Sequence, residues 1–278
     1  MQSNHSVPGK ERAIGVFDSG IGGLTVANAV FDLLPAEKII YLGDTANIPY
    51  GNKTADQVRD LSFRIIEFLL QKGCKAIVVA CNTASAAALD AMRSKWPEVP
   101  FIGMEPAVKP AAKLTKTGKV GVLATAGTFK SQRYAKLMHA YAKDVTMIEN
   151  PCVGLVKLIE QHKIEHPETR ELLESILRPM EAEGADTFVL GCTHYPFVEH
   201  IIRDIIDEAE HIINPAPAVA RQLKRRLESL DLLNPSTEIP QHEFYASGEK
   251  EAMKWAVEYL TGREDVEILT PYLGYPSN

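Results

Sequence analysis

Short runs of aliphatic and β-branched residues alternate with amphipathic stretches along the first half of this chain. The runs predict strands at residues 13–17, 38–42, 76–80 and 100–103, and the stretches between them predict helices near 24–34, 54–72 and 84–95. Nearly continuous apolar runs are typical of strands buried on both faces, as in parallel sheets covered by helices. The alternation therefore predicts an α/β protein with a doubly wound parallel sheet.

The strand pattern then restarts at residues 119–125, which resemble residues 14–19 at a matching place before a loop. A second pair of segments, 73–83 and 184–194, aligns without a gap and shares Gly, Val and Cys at the same places. The two segments of each pair lie a similar number of residues apart, and the segments occur in the same order in both halves of the chain. We therefore predict two pseudo-symmetric α/β domains with the active site between them, although any two parallel-strand units share Val, Gly and Leu.

Proline-containing segments at 104–110 and 214–217 mark the predicted domain boundaries. We predict a polar N-terminal tail without a role at 1–11. The first α/β domain is predicted to comprise residues 12–106 plus 217–278, and the second residues 107–216. The closing segment is predicted to add a helix near 216–230, a strand at 242–246 and a helix near 249–261 to the first domain.

Composition excludes several classes of protein. With 278 residues, 45% of them hydrophobic, the chain can bury a large core, and its net charge of −6 argues against a nucleic-acid partner. The basic residues of 221–226 are typical of a solvated helix face. No apolar run approaches the roughly 20 residues of a membrane span, and the start has no signal-peptide core, so we expect a cytoplasmic protein with no membrane partner.

Two of the four cysteines are candidate catalytic residues. None forms a C-x-x-C pair, so neither a disulfide framework nor a metal site is predicted, and we expect Cys74 and Cys152 to be buried as small apolar residues. Cys81 and Cys192 each follow a predicted strand. Nearby groups that can hold a thiolate or a substrate are Asn82, Thr83, Thr193 and His194. Two thiols on opposite sides of one carbon suit racemisation, which removes a proton from one face and returns one to the other.

Two loops are predicted to bind a ligand. Residues 18–25 form a strand-to-helix turn, whose amides attract an anion, but Thr25 replaces the third glycine of a dinucleotide motif, which favours a small carboxylate. The alternative is a tight turn in which Asp18 caps the helix. Residues 43–51 follow the second strand, at the sheet edge where ligand crevices form, although 49–51 could simply be a turn.

A different chemistry is a hydrolase or transferase with Cys192 as nucleophile and His194 as base. We expect their spacing of two residues in an extended segment to direct the two side chains apart, which disfavours this dyad. The dyad also leaves Cys81 without a role.

Six segments of the chain, taken together, resemble a known family. They are residues 16–26, 43–45, 49–51, 80–84, 123–125 and 191–196. They are similar to segments that occur in the same order in the cofactor-independent glutamate racemases of the aspartate/glutamate racemase superfamily. The match covers nearly all of the chain after residue 12. The resemblance implies interconversion of L- and D-glutamate without pyridoxal phosphate or metal, D-glutamate supply for bacterial peptidoglycan, and a homodimer.

The resemblance also implies roles for individual residues. Cys81 would act on D-glutamate with help from Asp18, and Cys192 on L-glutamate with help from His194. Glu160 aligns with an assisting glutamate. Two positions depart from the family pattern: Lys157 stands in place of a proline, and Asn47 stands where many relatives have arginine.

We expect the substrate to be held by loop residues beside the thiols. The predicted contacts are Asp18, Ser19, Tyr50, Gly51, Asn82, Thr83, Thr125, Thr128, Thr193 and His194. The nearest alternative is an aspartate racemase, which turnover on the two acids would separate. A non-catalytic amino-acid-binding protein is a further alternative, but the presence of both thiols argues against it.

Overall fold

Ten strands form two wholly parallel sheets in a computed structural model that describes residues 9–206 and 211–274. The strands are β1 (Ile14–Asp18), β2 (Ile39–Gly43), β3 (Ala76–Val79), β4 (Phe101–Gly103), β5 (Lys119–Leu123), β6 (Thr146–Asn150), β7 (Thr187–Leu190), β8 (His211–Ile213), β9 (Glu243–Ala246) and β10 (Ile268–Leu269). The first sheet has the order β10-β9-β2-β1-β3-β4, and the second has the order β6-β5-β7-β8. The predicted α/β class with parallel sheets is confirmed.

Helices cover the sheets and connect the parallel strands. They are α1 (Leu24–Leu33), α2 (Ala55–Gln71), α3 (Asn82–Lys95), α4 (Val108–Leu114), α5 (Ala126–Phe129), α6 (Gln132–Tyr141), α7 (Leu155–Glu160), α8 (Pro167–Ala182), α9 (Glu199–Ile205), α10 (Ala216–Ser229) and α11 (Glu251–Thr261). None of the helices in the described ranges is both long and apolar enough to cross a membrane.

The two sheets repeat one strand arrangement. The order β2-β1-β3-β4 in the first sheet corresponds to β6-β5-β7-β8 in the second, so that β1 matches β5 and β3 matches β7. The first sheet is longer because β9 and β10, from the end of the chain, extend it beyond β2. Its strands come from residues 14–103 and 243–269, and those of the second sheet come from residues 119–213.

Alternating side chains place the first sheet between two apolar layers. On β1, Ile14 and Val16 belong to the large core cluster with α1, α10 and α11, whereas Phe17 belongs to the cluster with α2 and α3. Successive strand residues point to opposite faces, so one strand contributes to both layers. Burying each such side chain contributes roughly 2 kcal/mol, which holds the strand ends, and the loops that follow them, in fixed positions.

The predicted N-terminal tail is fastened at its end. Residues 1–8 lie outside the described residues, but the carbonyl of Lys10 accepts a hydrogen bond from the Nζ atom of Lys75. The Lys75 side chain is fully buried and also pairs with the Glu37 carboxylate. A buried ammonium needs several acceptors, and Lys10 is therefore part of the fold rather than loose.

Candidate active site

A cavity of about 610 Å³ is lined by loops from both sheets. Its walls include Ser19, Cys81 and Asn82, which follow β1 and β3, together with Thr125 and Cys192, which follow β5 and β7. The equivalent strands of the two sheets thus direct their carboxyl ends into one cavity. This is the edge of a parallel sheet at which ligands bind.

Cys81 lies at the start of α3. Its Sγ atom accepts a hydrogen bond from the amide of Ala84, at 3.5 Å, so the cysteine acts as the N-terminal cap of the helix. The thiol lies 3.8 Å from the hydroxyl of Ser19. A helix N-terminus stabilises negative charge, and the position therefore suits a group that is at times a thiolate.

Asp18 places a fully buried carboxylate beside Cys81. Its Oδ2 atom accepts hydrogen bonds from the amide of Gly23, at 2.8 Å, and the hydroxyl of Thr193, at 3.4 Å, while the Ser19 hydroxyl donates to Oδ1. Burial raises the pKa of the Cys81 thiol well above its usual value, and the negative charge of Asp18 raises it further. Cys81 is therefore protonated at neutral pH.

Cys192 is next to an imidazole and a carboxylate. Its Sγ atom lies 3.8 Å from Nδ1 of His194, whose Nε2 atom lies 2.6 Å from Oε1 of Glu160. Burial alone lowers the pKa of His194, but the hydrogen bonds to Cys192 and Glu160 outweigh it and leave that pKa well above its usual value. At neutral pH His194 is therefore a cation, and it lies beside the Cys192 sulfur.

The expectation that Cys192 and His194 point apart is wrong. Residues two apart share a face even in a strand, and here the backbone leaves β7 at Gly191 and turns, with the amide of Tyr195 donating to the carbonyl of Cys192. A Cβ atom on Gly191 would lie 2.8 Å from the Leu123 carbonyl oxygen. The tight approach of this turn to β5 therefore requires glycine.

The turn at residues 18–25 binds two carboxylates, and both belong to the protein. The amide of Ile21 donates to Oε1 of Glu160 at 2.9 Å, and the amide of Gly23 donates to Asp18. A Cβ atom on Gly22 would lie 2.3 Å from Nδ1 of His194. The glycines of this turn allow the His194–Glu160 pair to approach, and the prediction of a substrate carboxylate at these amides is wrong for Ile21 and Gly23.

Asn82 is the clearest candidate for a substrate contact. Its side chain lines the cavity and is only 4% exposed, yet neither its amide nitrogen nor its oxygen has a hydrogen-bond partner within the described part of the chain. Buried polar atoms are nearly always paired, because an unpaired one costs about 1–3 kcal/mol. A polar ligand in the cavity would satisfy them.

Three threonines form a hydrogen-bonded chain at the same wall. The hydroxyl of Thr83 lies 3.0 Å from that of Thr125, which lies 3.1 Å from that of Thr128. Thr83 and Thr125 line the cavity, whereas Thr128 is buried behind Thr125 and is not among the lining residues. The predicted contact at Thr128 is therefore an indirect one, through Thr125.

Tyr50 and Gly51 also line the cavity, as does Thr193. The Tyr50 hydroxyl donates to Oδ2 of Asp44 at 2.6 Å, and the side-chain amide of Asn47 donates to Oδ1 of the same residue. The hydrogen bond to Asp44 thus holds the Tyr50 side chain in place where it lines the cavity.

The wall formed by α7 was not predicted beyond Glu160. Lys157 of this helix and Gln161, directly after it, line the cavity, as do Cys152 and Tyr195. Burial raises the pKa of the Cys152 thiol to about 12, which fits the apolar role expected of it. The spacing of Lys157 and Glu160 is the signal that could have placed the lysine at the cavity, because residues three apart share one face of a helix.

Two parallel sheets whose equivalent strands each deliver a thiol to one cavity suit an isomerase that acts on the two faces of one carbon atom. Across residues 9–206 and 211–274, no group of three or more His, Cys, Asp and Glu side chains is arranged to hold a metal ion.

The chain belongs to the Asp/Glu/Hydantoin racemase family, whose sequence profile matches residues 14–223. It is an amino-acid racemase. A glutamate racemase of Pseudomonas aeruginosa is 47% identical over 250 residues, which cover 90% of this chain and 94% of that protein.

Solved structures show the same fold. Glutamate racemase RacE1 of Bacillus anthracis superposes with a TM-score of 0.85 at 35% identity, covering 94% of this chain and 97% of that one. A glutamate racemase of Francisella tularensis, solved in complex with D-glutamate, has a TM-score of 0.83 at 31% identity and covers 95% and 99%.

Proposed function

We propose that this racemase interconverts L- and D-glutamate with Cys81 and Cys192 as its two bases. One observation carries the proposal: the two cysteines follow the equivalent strands β3 and β7, and both open into one cavity. The names of the relatives support glutamate as the substrate.

In the direction from L- to D-glutamate, the Cys192 thiolate removes the α-proton. The C–H bond breaks, an S–H bond forms and the electron pair remains on the α-carbon, while the Cys81 thiol donates its proton to the opposite face. The reverse direction begins with a Cys81 thiolate and ends with a proton from Cys192. Each turnover leaves the two sulfur atoms with exchanged protonation states, so protons must redistribute before the same enantiomer reacts again.

The α-proton is a very weak acid, and the site must stabilise the developing negative charge. The side-chain amide of Asn82, which has no hydrogen-bond partner among the described residues, and the hydroxyls of Thr83 and Thr125 supply hydrogen-bond donors at the cavity wall. Fixed dipoles in a site without bulk water act more strongly than water does, because they need no reorganisation as the charge develops. We assign these residues, with Ser19 and Thr193, to holding the amino acid.

Asp18, His194 and Glu160 act on the thiols. Burial and the charge of Asp18 raise the pKa of the Cys81 thiol, so this sulfur carries the proton that it donates in the direction from L- to D-glutamate. His194 supplies positive charge beside Cys192, and Glu160 holds the imidazole through Nε2. The substrate reaches both thiols between a unit of residues 12–106 plus 217–278 and a unit of residues 107–216, a division supported by the membership of the two sheets.

We further propose that the protein is a cytoplasmic homodimer that supplies D-glutamate for peptidoglycan. The four free cysteines are consistent with a reducing compartment. Sedimentation velocity tests the dimer, since a single species at the monomer mass would contradict it. Restored growth of a bacterial strain that requires external D-glutamate tests the supply role, and no rescue by an expressed, active enzyme would contradict it.

The test of the activity is α-proton exchange. The purified protein is incubated in D₂O with L-glutamate, and separately with D-glutamate, without added cofactor, followed by proton NMR and chiral chromatography. We expect loss of the α-proton signal together with appearance of the other enantiomer. Aspartate, tested in parallel, is expected to turn over much more slowly, and faster turnover of aspartate would reassign the substrate.

A Cys74→Ala variant is the matched control for thiol removal. Cys74 is buried away from the cavity walls, in the core cluster with α2 and α3. This variant is expected to keep wild-type exchange. Exchange by neither the wild type nor the control, with both folded, would leave an amino-acid-binding role as the better account.

One observation favours a second candidate, in which Cys192 is a nucleophile. Its 3.8 Å distance from His194, with Glu160 behind the imidazole, resembles the order of groups in cysteine hydrolases. Cys81→Ser separates the two candidates. It abolishes racemisation if both thiols act as bases, and it leaves a Cys192-dependent hydrolysis intact.

A further inference from the structure

Helix α7 supplies a charged residue to the cavity that the proton-transfer mechanism does not use. Lys157 lines the cavity, is exposed to solvent, and makes no side-chain hydrogen bond or ion pair with any residue in the described ranges. It lies one turn before Glu160, whose carboxylate is engaged by His194 and the amide of Ile21. Its ammonium is therefore available to a ligand.

The charges around the cavity make this lysine distinctive. Among the described residues that line the cavity, Lys157 is the one lysine or arginine. The His194 imidazolium and the Glu160 carboxylate also line it, but their opposite charges are paired with each other. Two further carboxylates, Asp18 and Asp44, are buried directly behind Ser19 and Tyr50. The whole chain carries a net charge of −6. An amino acid with an acidic side chain is itself a net anion and meets a surplus of like charge.

The geometry of α7 favours the side-chain end of the substrate as the partner of Lys157. Glu160 and Lys157 are three residues apart on one helix, about 4.5 Å along its axis, and they share a face. Glu160 lies at the reacting end, because it holds His194 beside Cys192. A side chain with two methylene groups extends from the α-carbon over a similar length.

We propose that the Lys157 ammonium is the counter-charge for the side-chain carboxylate of the substrate and makes the enzyme prefer acidic over neutral amino acids. The inference rests on the proposed function, which identifies the substrate as glutamate. Lys157 touches the part of the substrate that does not react, so it acts on binding of the ground state and transition state alike. Its removal raises KM and leaves kcat nearly unchanged.

The experiment compares three variants with the wild type. Lys157→Met keeps the length of the side chain without its charge, and Lys157→Arg keeps the charge. Lys136→Met is the matched control, because Lys136 is an exposed lysine of α6 outside the cavity wall whose loss changes the net charge equally. Kinetic constants for both enantiomers of glutamate are measured at low and high ionic strength, together with inhibition by D-glutamine, the neutral analogue of similar shape.

We expect Lys157→Met to raise KM for glutamate about fivefold, equivalent to about 1 kcal/mol, with kcat within about twofold. Inhibition by D-glutamine stays unchanged, and Lys157→Arg restores most of the glutamate affinity. The effect shrinks at high salt, because salt screens exposed charges. An unchanged KM in Lys157→Met, an equal change in Lys136→Met, or an equal loss of D-glutamine binding would each overturn the proposal.

Calorimetric titration with D-glutamate separates this inference from the proposed function. A wild type that binds D-glutamate without turnover contradicts the racemase activity, while weaker binding by Lys157→Met still supports the lysine's role. Full turnover by the wild type, with equal D-glutamate affinity in wild type and Lys157→Met, contradicts the lysine's role alone.

Discussion

Cys81 and Cys192 occupy the same place in the two repeated sheets but have different surroundings. Cys81 caps α3 beside the Ser19 hydroxyl and the buried carboxylate of Asp18. Cys192 lies next to an imidazole that a second carboxylate, Glu160, holds in place. The repeated strands thus fix where each sulfur lies, and the loops that differ between the sheets set how each sulfur binds its proton.

This difference gives the two sulfurs opposite electrostatic surroundings. Burial and the charge of Asp18 raise the pKa of the Cys81 thiol, which is therefore protonated at neutral pH. The raised pKa of His194 keeps an imidazolium beside Cys192. The first sulfur thus has a carboxylate for a neighbour, and the second has a cation.

The largest effect is expected from removing either sulfur. Cys81→Ser and Cys192→Ser should each lower racemisation by about 10³-fold or more, because each turnover needs both groups. Cys192→Ser should retain slow deuterium exchange into D-glutamate without inversion, and Cys81→Ser should retain it into L-glutamate. The measurement is NMR in D₂O with chiral analysis. Equal exchange of both enantiomers by one variant would contradict the division of the two faces.

A smaller loss is expected from His194→Asn, about 10²-fold in racemisation. The variant removes the cation beside Cys192 and leaves Cys81 with its own partners. L- and D-glutamate are equally stable, so kcat/KM for racemisation must be the same in both directions. The asymmetry is therefore measured by deuterium exchange, and the exchange rate with D-glutamate should exceed that with L-glutamate. A variant with the wild-type ratio of the two exchange rates would show that His194 serves both sulfurs equally.

Ser19→Ala should reduce racemisation by roughly tenfold. It removes the hydroxyl that lies between the Cys81 thiol and Asp18 Oδ1, and a single hydrogen bond of this kind is worth about 1 kcal/mol or somewhat more. Its exchange asymmetry should be opposite to that of His194→Asn, with D-glutamate affected more. Steady-state kinetics and exchange on the same preparation provide the test, and a loss confined to L-glutamate exchange would contradict it.

The smallest effect concerns how the free energy of unfolding changes with pH. The pKa of His194 is raised in the folded protein, so the native state binds its proton more tightly than the unfolded chain does, where the pKa is about 6.5. This contribution is complete below about pH 6.5 and is lost as the pH rises through the folded value.

Urea unfolding of the wild type and His194→Gln across this range measures the contribution. The difference between their free energies of unfolding should be greatest at low pH and should decrease as the pH rises. A difference that grows with pH would show that the folded protein holds His194 neutral.

The sequence reveals more of the fold than of the site's geometry. Strands β1, β2, β3 and β5 are mostly apolar runs. Such runs are typical of strands buried on both faces, and this predicts a parallel sheet. Strand β6, with the sequence Thr-Met-Ile-Glu-Asn, is partly exposed, and β8 and β10 have three and two residues, so their patterns are too short or too mixed to predict.

The cysteines were predictable because each follows a recognisable strand. The contact between Cys192 and His194 could have been expected too, because residues two apart share a face in a strand, and the turn that begins at Gly191 keeps the two side chains close. Sequence spacing could not show that the turn after β1 uses its Ile21 amide for Glu160, which lies far along the chain. Such contacts arise from the packing of one sheet's loops against the other's, and no local pattern encodes them.

A single atom, Oε1 of Glu160, accepts hydrogen bonds from both the Ile21 amide and His194. The amide belongs to the loop after β1 in the first sheet, and the imidazole follows β7 in the second. Glu160 and His194 both come from the part of the chain that forms the second sheet, so the Ile21 amide is what joins this pair to the first sheet. A change in the loop after β1 would therefore be felt by the imidazole beside Cys192 through this one oxygen atom.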